Sequence, residues 1–129
     1  MSIPENLRYT NDHEWVKIDG NIATIGVTSF AIEQLGDITL VEMPQVDDQI
    51  EAGDTIGTIE SVKAVSDMFA PLNGKVIELN EELEDAPEKV NEDCYEQGWM
   101  LKVELSNVAD TEKLFDAAAY KKYLDSLDD

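Results

Sequence analysis

A chain of 129 residues holds enough surface for one hydrophobic core, and 43% hydrophobic with 29% charged residues is the composition of a folded domain, not a disordered one. Nine basic residues against 29 acidic ones leave a formal charge of −20. Such an anion is repelled by phosphate backbones and anionic lipid, which excludes nucleic-acid and membrane-surface binding as expectations and favours partners with a basic face.

In chain order, Trp15-Val-Lys-Ile and Asn21-Ile-Ala-Thr-Ile-Gly-Val-Thr read as two strands. Asp19-Gly20 between them is a hairpin signal, because glycine accepts positive φ. Thr28 or Ser29 is placed to cap a short helix through Phe30, Ala31 and Leu35, with Gly36 as its stop. Ile38 to Met43 is a strand closed by Pro44. After a turn at Ala52-Gly53-Asp54, Thr55–Glu60 and Val65–Ala70 are short strands on either side of Ser61-Val62-Lys63-Ala64. Pro71-Leu-Asn-Gly74 is another turn, followed by strands at Lys75–Leu79 and Trp99–Leu105. Residues 81–96 carry eight acids and one lysine and read as a solvated loop, with Pro87 preventing a continuous helix; the alternative is a docking face for a basic partner. Asp110 is the expected N-cap of a C-terminal helix over about 111–126, on the stripe Leu114, Phe115, Ala118 and Leu124. The spacing of strands and turns is that of a small β-sandwich or barrel, and residues 1–129 read as one domain.

The scarce residues exclude much chemistry. One cysteine, Cys94, allows no internal disulfide, and one Cys with one His makes no zinc cluster. No EF-hand, phosphate-loop or dinucleotide motif is present. A serine triad would have to use His13 without a nucleophile elbow. His13, beside Trp15 at a strand start, reads as structural, and Trp15 and Trp99 read as packing residues. Cys94 has no basic neighbour beyond Lys89 to make it a reactive thiolate. The first residues lack a signal or transit pattern, and no apolar run reaches the length of a membrane span. The expected setting is cytoplasmic, or that of a mature organellar protein.

What remains is Lys63 near the tip of a tight hairpin, between the small residues Val62 and Ala64. A tip lysine keeps a mobile stem and a reachable amine, which suits covalent attachment of a cargo. Position alone leaves the bland alternative open, that of a lysine that keeps an edge soluble.

The surrounding residues carry a resemblance. Glu60 stands three before Lys63 and Gly74 eleven after, and this segment resembles the swinging-arm hairpin of lipoyl and biotinyl domains. Biotinyl domains usually flank the lysine with Met, which Val62 and Ala64 do not match. Leu7-x-Tyr9-x-x-x-His13-Glu14-Trp15-Val16, Ala23-Thr-Ile-Gly26-Val-Thr, Leu35-Gly36-Asp37-Ile38, Glu60-Ser-Val-Lys63-Ala and Gly98-Trp99-Met100 follow in order. Together they look like the H proteins of the glycine cleavage system. That resemblance implies a mainly β, lipoyl/biotinyl-type barrel-sandwich hybrid, with a short helix after the first hairpin and a C-terminal helix. It implies a non-catalytic carrier with lipoate in amide linkage on Lys63, and with Glu60 and Gly74 in lipoylation recognition. The implied partners are a PLP-dependent glycine decarboxylase (P protein), a tetrahydrofolate-dependent aminomethyltransferase (T protein), dihydrolipoyl dehydrogenase (L protein) and a lipoyl transferase or ligase. The first would load an aminomethyl group on the arm, the second would pass its methylene to tetrahydrofolate, and the third would reoxidise the dithiol. Glu14 and Asp67 would line the cleft that holds the loaded arm. The sequence departs from the family pattern at Asp12, Gln34 and Ala70. A lipoate donor serving other complexes, an unmodified acidic interaction module and a small hydrolase built on His13 stay open as alternatives.

Overall fold

Two short apolar runs at Trp15–Ile18 and Ile22–Val27, joined by a glycine at φ 63°, build the first hairpin of the computed structural model, which describes residues 3–127. Its strands are β2 (Glu14–Asp19) and β3 (Ile22–Val27), preceded by the two-residue β1 (Arg8–Tyr9). Then follow α1 (Ser29–Leu35), β4 (Ile38–Glu42), β5 (Gln49–Ile50), β6 (Thr55–Ser61), β7 (Val65–Phe69) and β8 (Gly74–Leu79). The chain ends with α2 (Glu82–Asp85), α3 (Lys89–Glu92), β9 (Leu101–Leu105), a 3-10 turn over Val108–Lys113 and α4 (Ala117–Leu127).

Two antiparallel sheets face each other. One has six strands in the order β1-β2-β3-β9-β8-β5, and the other has three in the order β4-β6-β7. Their inner residues, among them Val16, Ile25, Ile59, Met68, Val76 and Val103, form the core. This is a sandwich-like arrangement and not a closed barrel. The chain exposes 6953 Å², close to the ~6,800 Å² expected of one folded unit of this mass. A second apolar cluster joins Leu7, Tyr9 and Trp15 to Tyr120 and Leu124 of α4, with the Tyr9 and Tyr120 rings stacked at 4.6 Å. Trp15 lies over Gly26, its cross-strand partner: a Cβ there would sit 2.6 Å from the indole ring.

Four expectations are corrected. The C-terminal helix starts at Ala117 and not near 111, because Tyr9 and Phe115 exchange two backbone hydrogen bonds that hold Phe115 extended (2.8 and 2.9 Å). Asp116, not Asp110, caps it by accepting from the Ala119 N–H, while Asn107 caps the 3-10 turn. The acidic stretch 81–96 is not a plain loop: α2 and α3 stand on either side of Ala86-Pro87, and each buries one apolar residue, Leu83 and Val90. Its Asn91 side chain accepts from the Ile38 N–H and donates to the Gly36 carbonyl, both at 2.8 Å, so the segment braces the end of α1. The last strand starts at Leu101, leaving Trp99 before it, where Lys102 lies over its ring.

Candidate functional site

The β6–β7 hairpin closes at Ser61, whose N–H donates to the Ala64 carbonyl while its hydroxyl oxygen accepts from the N–H groups of Lys63 and Ala64. A second tether runs from the Val62 N–H to the Asp37 carbonyl, fixing the tip against the α1–β4 corner. Lys63 is exposed, and its stem passes over Gly36, where an added Cβ would lie 3.3 Å from Lys63 Cε. Gly36 is the stop of α1 at φ 78°, so glycine there serves both the left-handed turn and the passage of the stem. The amine is thus reachable, its backbone is held, and the site fits an acyl group in amide linkage.

The sequence-derived site residues fall in different surroundings. Glu60 is half-buried on β6 between Leu40 of β4 and Val65 of β7, immediately beside the tip. Gly74 is buried at the start of β8, and a Cβ there would lie 2.5 Å from Val103 Cγ1. Close packing of β8 on β9 therefore requires glycine. Asp67 is exposed on β7, opposite Thr58. It lies four residues beyond Lys63, about 13 Å of extended chain. Asp12 and Gln34 are exposed, whereas Ala70 is buried and its backbone pairs with the Gly53-Asp54 corner.

Glu14 differs from all of these. It is 2% exposed, at the start of β2. Oε2 accepts from the Phe69 N–H of β7 at 2.8 Å, and Oε1 accepts from the Thr10 hydroxyl at 3.4 Å. Burial pushes its carboxyl up to about 8; the Phe69 and Thr10 hydrogen bonds oppose the rise and the Asp12 charge adds to it. Among the described residues no cation pairs with it. A buried acid without a counter-ion holds a proton at neutral pH or waits for a cation. The Phe69 contact also brings Glu14 to the strand that carries Asp67, two residues away.

Sequence reasoning missed Thr10. It is 8% exposed and holds the loop that leads into Glu14. The only signal was a hydroxyl residue four before the acid.

The family model for the glycine cleavage H-protein matches residues 7–127. The chain belongs to the glycine cleavage H-protein family. It is 54% identical over 124 residues to glycine cleavage system H proteins of Staphylococcus saprophyticus and Staphylococcus haemolyticus, covering 96% of this chain and 98% of each relative. A crystal structure of a glycine cleavage system H protein from Mycobacterium marinum superposes with a TM-score of 0.86 at 36% identity, covering 94% of this chain and 98% of that one. The resemblance read from the five motifs and the sandwich-like fold are both borne out. Family membership brings with it the carrier role in glycine cleavage. Among the described residues no helix is long and apolar enough to cross a membrane, and no cluster of potential ligands could hold a metal.

The other reactive-looking groups in the family's scaffold are structural here. Cys94 is half-buried, its thiol pushed up to about 11 by burial, and its carbonyl accepts from the Trp15 indole N–H. His13 sits at φ 66° with Nδ1 2.9 Å from the Tyr120 hydroxyl, which also meets Thr28 Oγ1 at 2.8 Å. Thr28 in turn caps α1 by accepting from the Ala31 N–H. Burial lowers the His13 pKa and the Asp12 charge opposes this. Tyr120→Phe keeps the ring stack but strands His13 and Thr28. It is expected to cost about 1–3 kcal/mol in urea unfolding. An unchanged midpoint would show that this relay contributes nothing.

Proposed function

We propose that this chain is the lipoylated carrier of glycine cleavage, with lipoate in amide linkage on Lys63. The observation that carries the proposal is a tip lysine six residues ahead of Phe69, the β7 residue whose N–H meets a buried carboxyl that has no cation among the described residues. When bound, lipoate supplies a dithiol that takes up the aminomethyl group from glycine and gives it up again. The chain's own residues present, receive and shield. Ser61 and the Val62–Asp37 tether present the lysine to a modifying lipoyl transferase or ligase, which would read Glu60 beside it; Gly74 contributes through the packing of β8 on β9. Asp67 and Glu14 receive the cationic amine of a loaded arm folded back along β7. A carboxylate against an ammonium makes a charge-assisted hydrogen bond, and burial keeps water from the labile cargo.

In this reading the chain performs no catalysis of its own. The P protein, glycine decarboxylase, loads the arm; the T protein, aminomethyltransferase, unloads it to tetrahydrofolate; the L protein, dihydrolipoyl dehydrogenase, reoxidises it. The proposed setting is the bacterial cytoplasm, in keeping with the bacterial relatives. The test is reconstitution: the lipoylated chain, added to the three partner enzymes with glycine and tetrahydrofolate, should be required for ammonia release. Lipoylation without any support of glycine turnover would favour a lipoate donor instead.

A further inference from the structure

We propose that Thr10 is a positioning residue for the cargo seat, its hydroxyl turning the Glu14 carboxyl to face the arm. This rests on the reading of Glu14 as that seat. Thr10 lies ahead of β2 and brackets the loop on both its backbone and its side chain. Its N–H donates to the Glu14 carbonyl at 3.0 Å, and its own carbonyl accepts from the His13 N–H at 3.2 Å. Its Oγ1 accepts from the N–H groups of Asp12 and Glu14, each at 3.2 Å. Both lone pairs are then in use, and the one hydrogen it has is left to donate. It goes to Glu14 Oε1 at 3.4 Å.

The carboxyl is therefore held at two points from two sides. Phe69 of β7 fixes Oε2, and Thr10 fixes Oε1. With one point alone, the group turns about its last torsion, which has no strong rotamer preference. The loop also contains His13 at φ 66°, a backbone state that a residue with a Cβ keeps only where neighbours hold it. Thr10 supplies that hold through the same hydroxyl. Of the groups facing the Glu14 carboxyl, Asp12 is charged; β7 offers the Phe69 N–H, and β3 offers Val27 in register. The Thr10 contact is the longer of the two, so a docking ammonium can draw it tight without breaking the Phe69 bond.

The test uses the full chain labelled with 13C at the glutamate carboxyl, so that Glu14 titration is read by NMR in unloaded protein. Thr10→Val removes a donor that favours the ionised form, so the Glu14 midpoint should rise from its wild-type value near 8. Thr10→Ser restores the hydroxyl and should restore the midpoint. Thr10→Ala serves for the same reading if the valine variant does not fold. In the second arm, the lipoylated variants are loaded from glycine by glycine decarboxylase and left alone. Loss of the cargo should be about fivefold faster in Thr10→Val and normal in Thr10→Ser. A midpoint unmoved in both Thr10→Val and Thr10→Ala, or one that serine fails to restore, overturns the proposal. Glu14→Gln, run beside them, separates the two ideas. If it speeds loss and Thr10→Val does not, the Thr10 proposal fails and the seat stands. If Glu14→Gln leaves loss unchanged, the seat itself fails, while the midpoint shift still reports the hold of Thr10 on Glu14.

Discussion

Lys63→Arg is expected to give a folded protein that gains no lipoyl mass and supports no glycine turnover. Amide formation needs an amine that can lose its proton and attack an acyl group. A guanidinium keeps its proton at any working pH and does not acylate. The substitution preserves charge and length, so loss of modification could not be blamed on the electrostatics of the tip. Stability should change by no more than about 0.5 kcal/mol, because the residue is exposed and the turn is closed by the Ser61 hydroxyl and by backbone groups. Intact mass and peptide mapping after co-expression with a lipoyl ligase read the modification. Wild type should carry one lipoyl group on Lys63 and the variant none. A lipoyl group that persists in the variant would move the attachment to another lysine. A wild-type chain left unmodified by a demonstrably active ligase would favour an acidic interaction module.

The local rules that predict the tip also explain why so much of the fold was legible. Gly20, Gly36 and Gly53 each take a positive φ that few other residues adopt, and Thr28 caps α1, each where expected. Lys63 could be placed at a hairpin end because the flanking strands are short, apolar and bounded by turns. The legible part stops where a partner distant in sequence decides the outcome. Leu114 and Phe115 fit a helical stripe, but Tyr9, over a hundred residues earlier, draws Phe115 into a bridge and delays the helix. Residues 81–96 look solvated because acids dominate; Leu83 and Val90 nonetheless go inside, where they join the core residues of the two sheets. β1 and β5 have two residues each, too few to show a period.

The same limit governs the site. Glu14 could be named from the family pattern, but in a chain with 29 acids nothing local marks it as the buried one. Its carboxyl is tied to Phe69, 55 positions away, whose N–H donates to it across the two sheets. Asp67, in contrast, is an exposed strand acid whose part in the site follows from its place on β7 between Lys63 and Phe69. Thr10 was invisible because its value lies in three hydrogen bonds made at once by one oxygen.

Glu14→Gln is expected to change the pH dependence of stability and the lifetime of the cargo together. The folded carboxyl titrates near 8 and the unfolded one near its ordinary 4.5. Between these values the folded protein holds a proton that the unfolded chain has released, so stability falls as pH rises through the window. The slope approaches about 1.4 kcal/mol per pH unit in mid-window. The stabilising contribution is complete below about pH 4.5 and lost as pH passes 8. In the glutamine variant this component of the slope should vanish, as read by urea unfolding at a series of pH values. Slopes are the proper comparison, because an amide can answer either Phe69 or Thr10 with its oxygen but not both. Parallel curves would mean that Glu14 does not take up a proton on folding. For the cargo, the neutral amide offers an ammonium no charge, and release should be ten- to a hundredfold faster, the worth of a hydrogen bond to a charged group. Wild type should hold its cargo better as pH climbs towards 8, since the incoming ammonium must displace the proton on Glu14, and the proton leaves more readily at higher pH. The glutamine variant has no proton to displace, so this component of its pH dependence should be missing. Equal release rates at every pH would remove Glu14 from the seat and leave Asp67 to hold the amine at the open surface of β7.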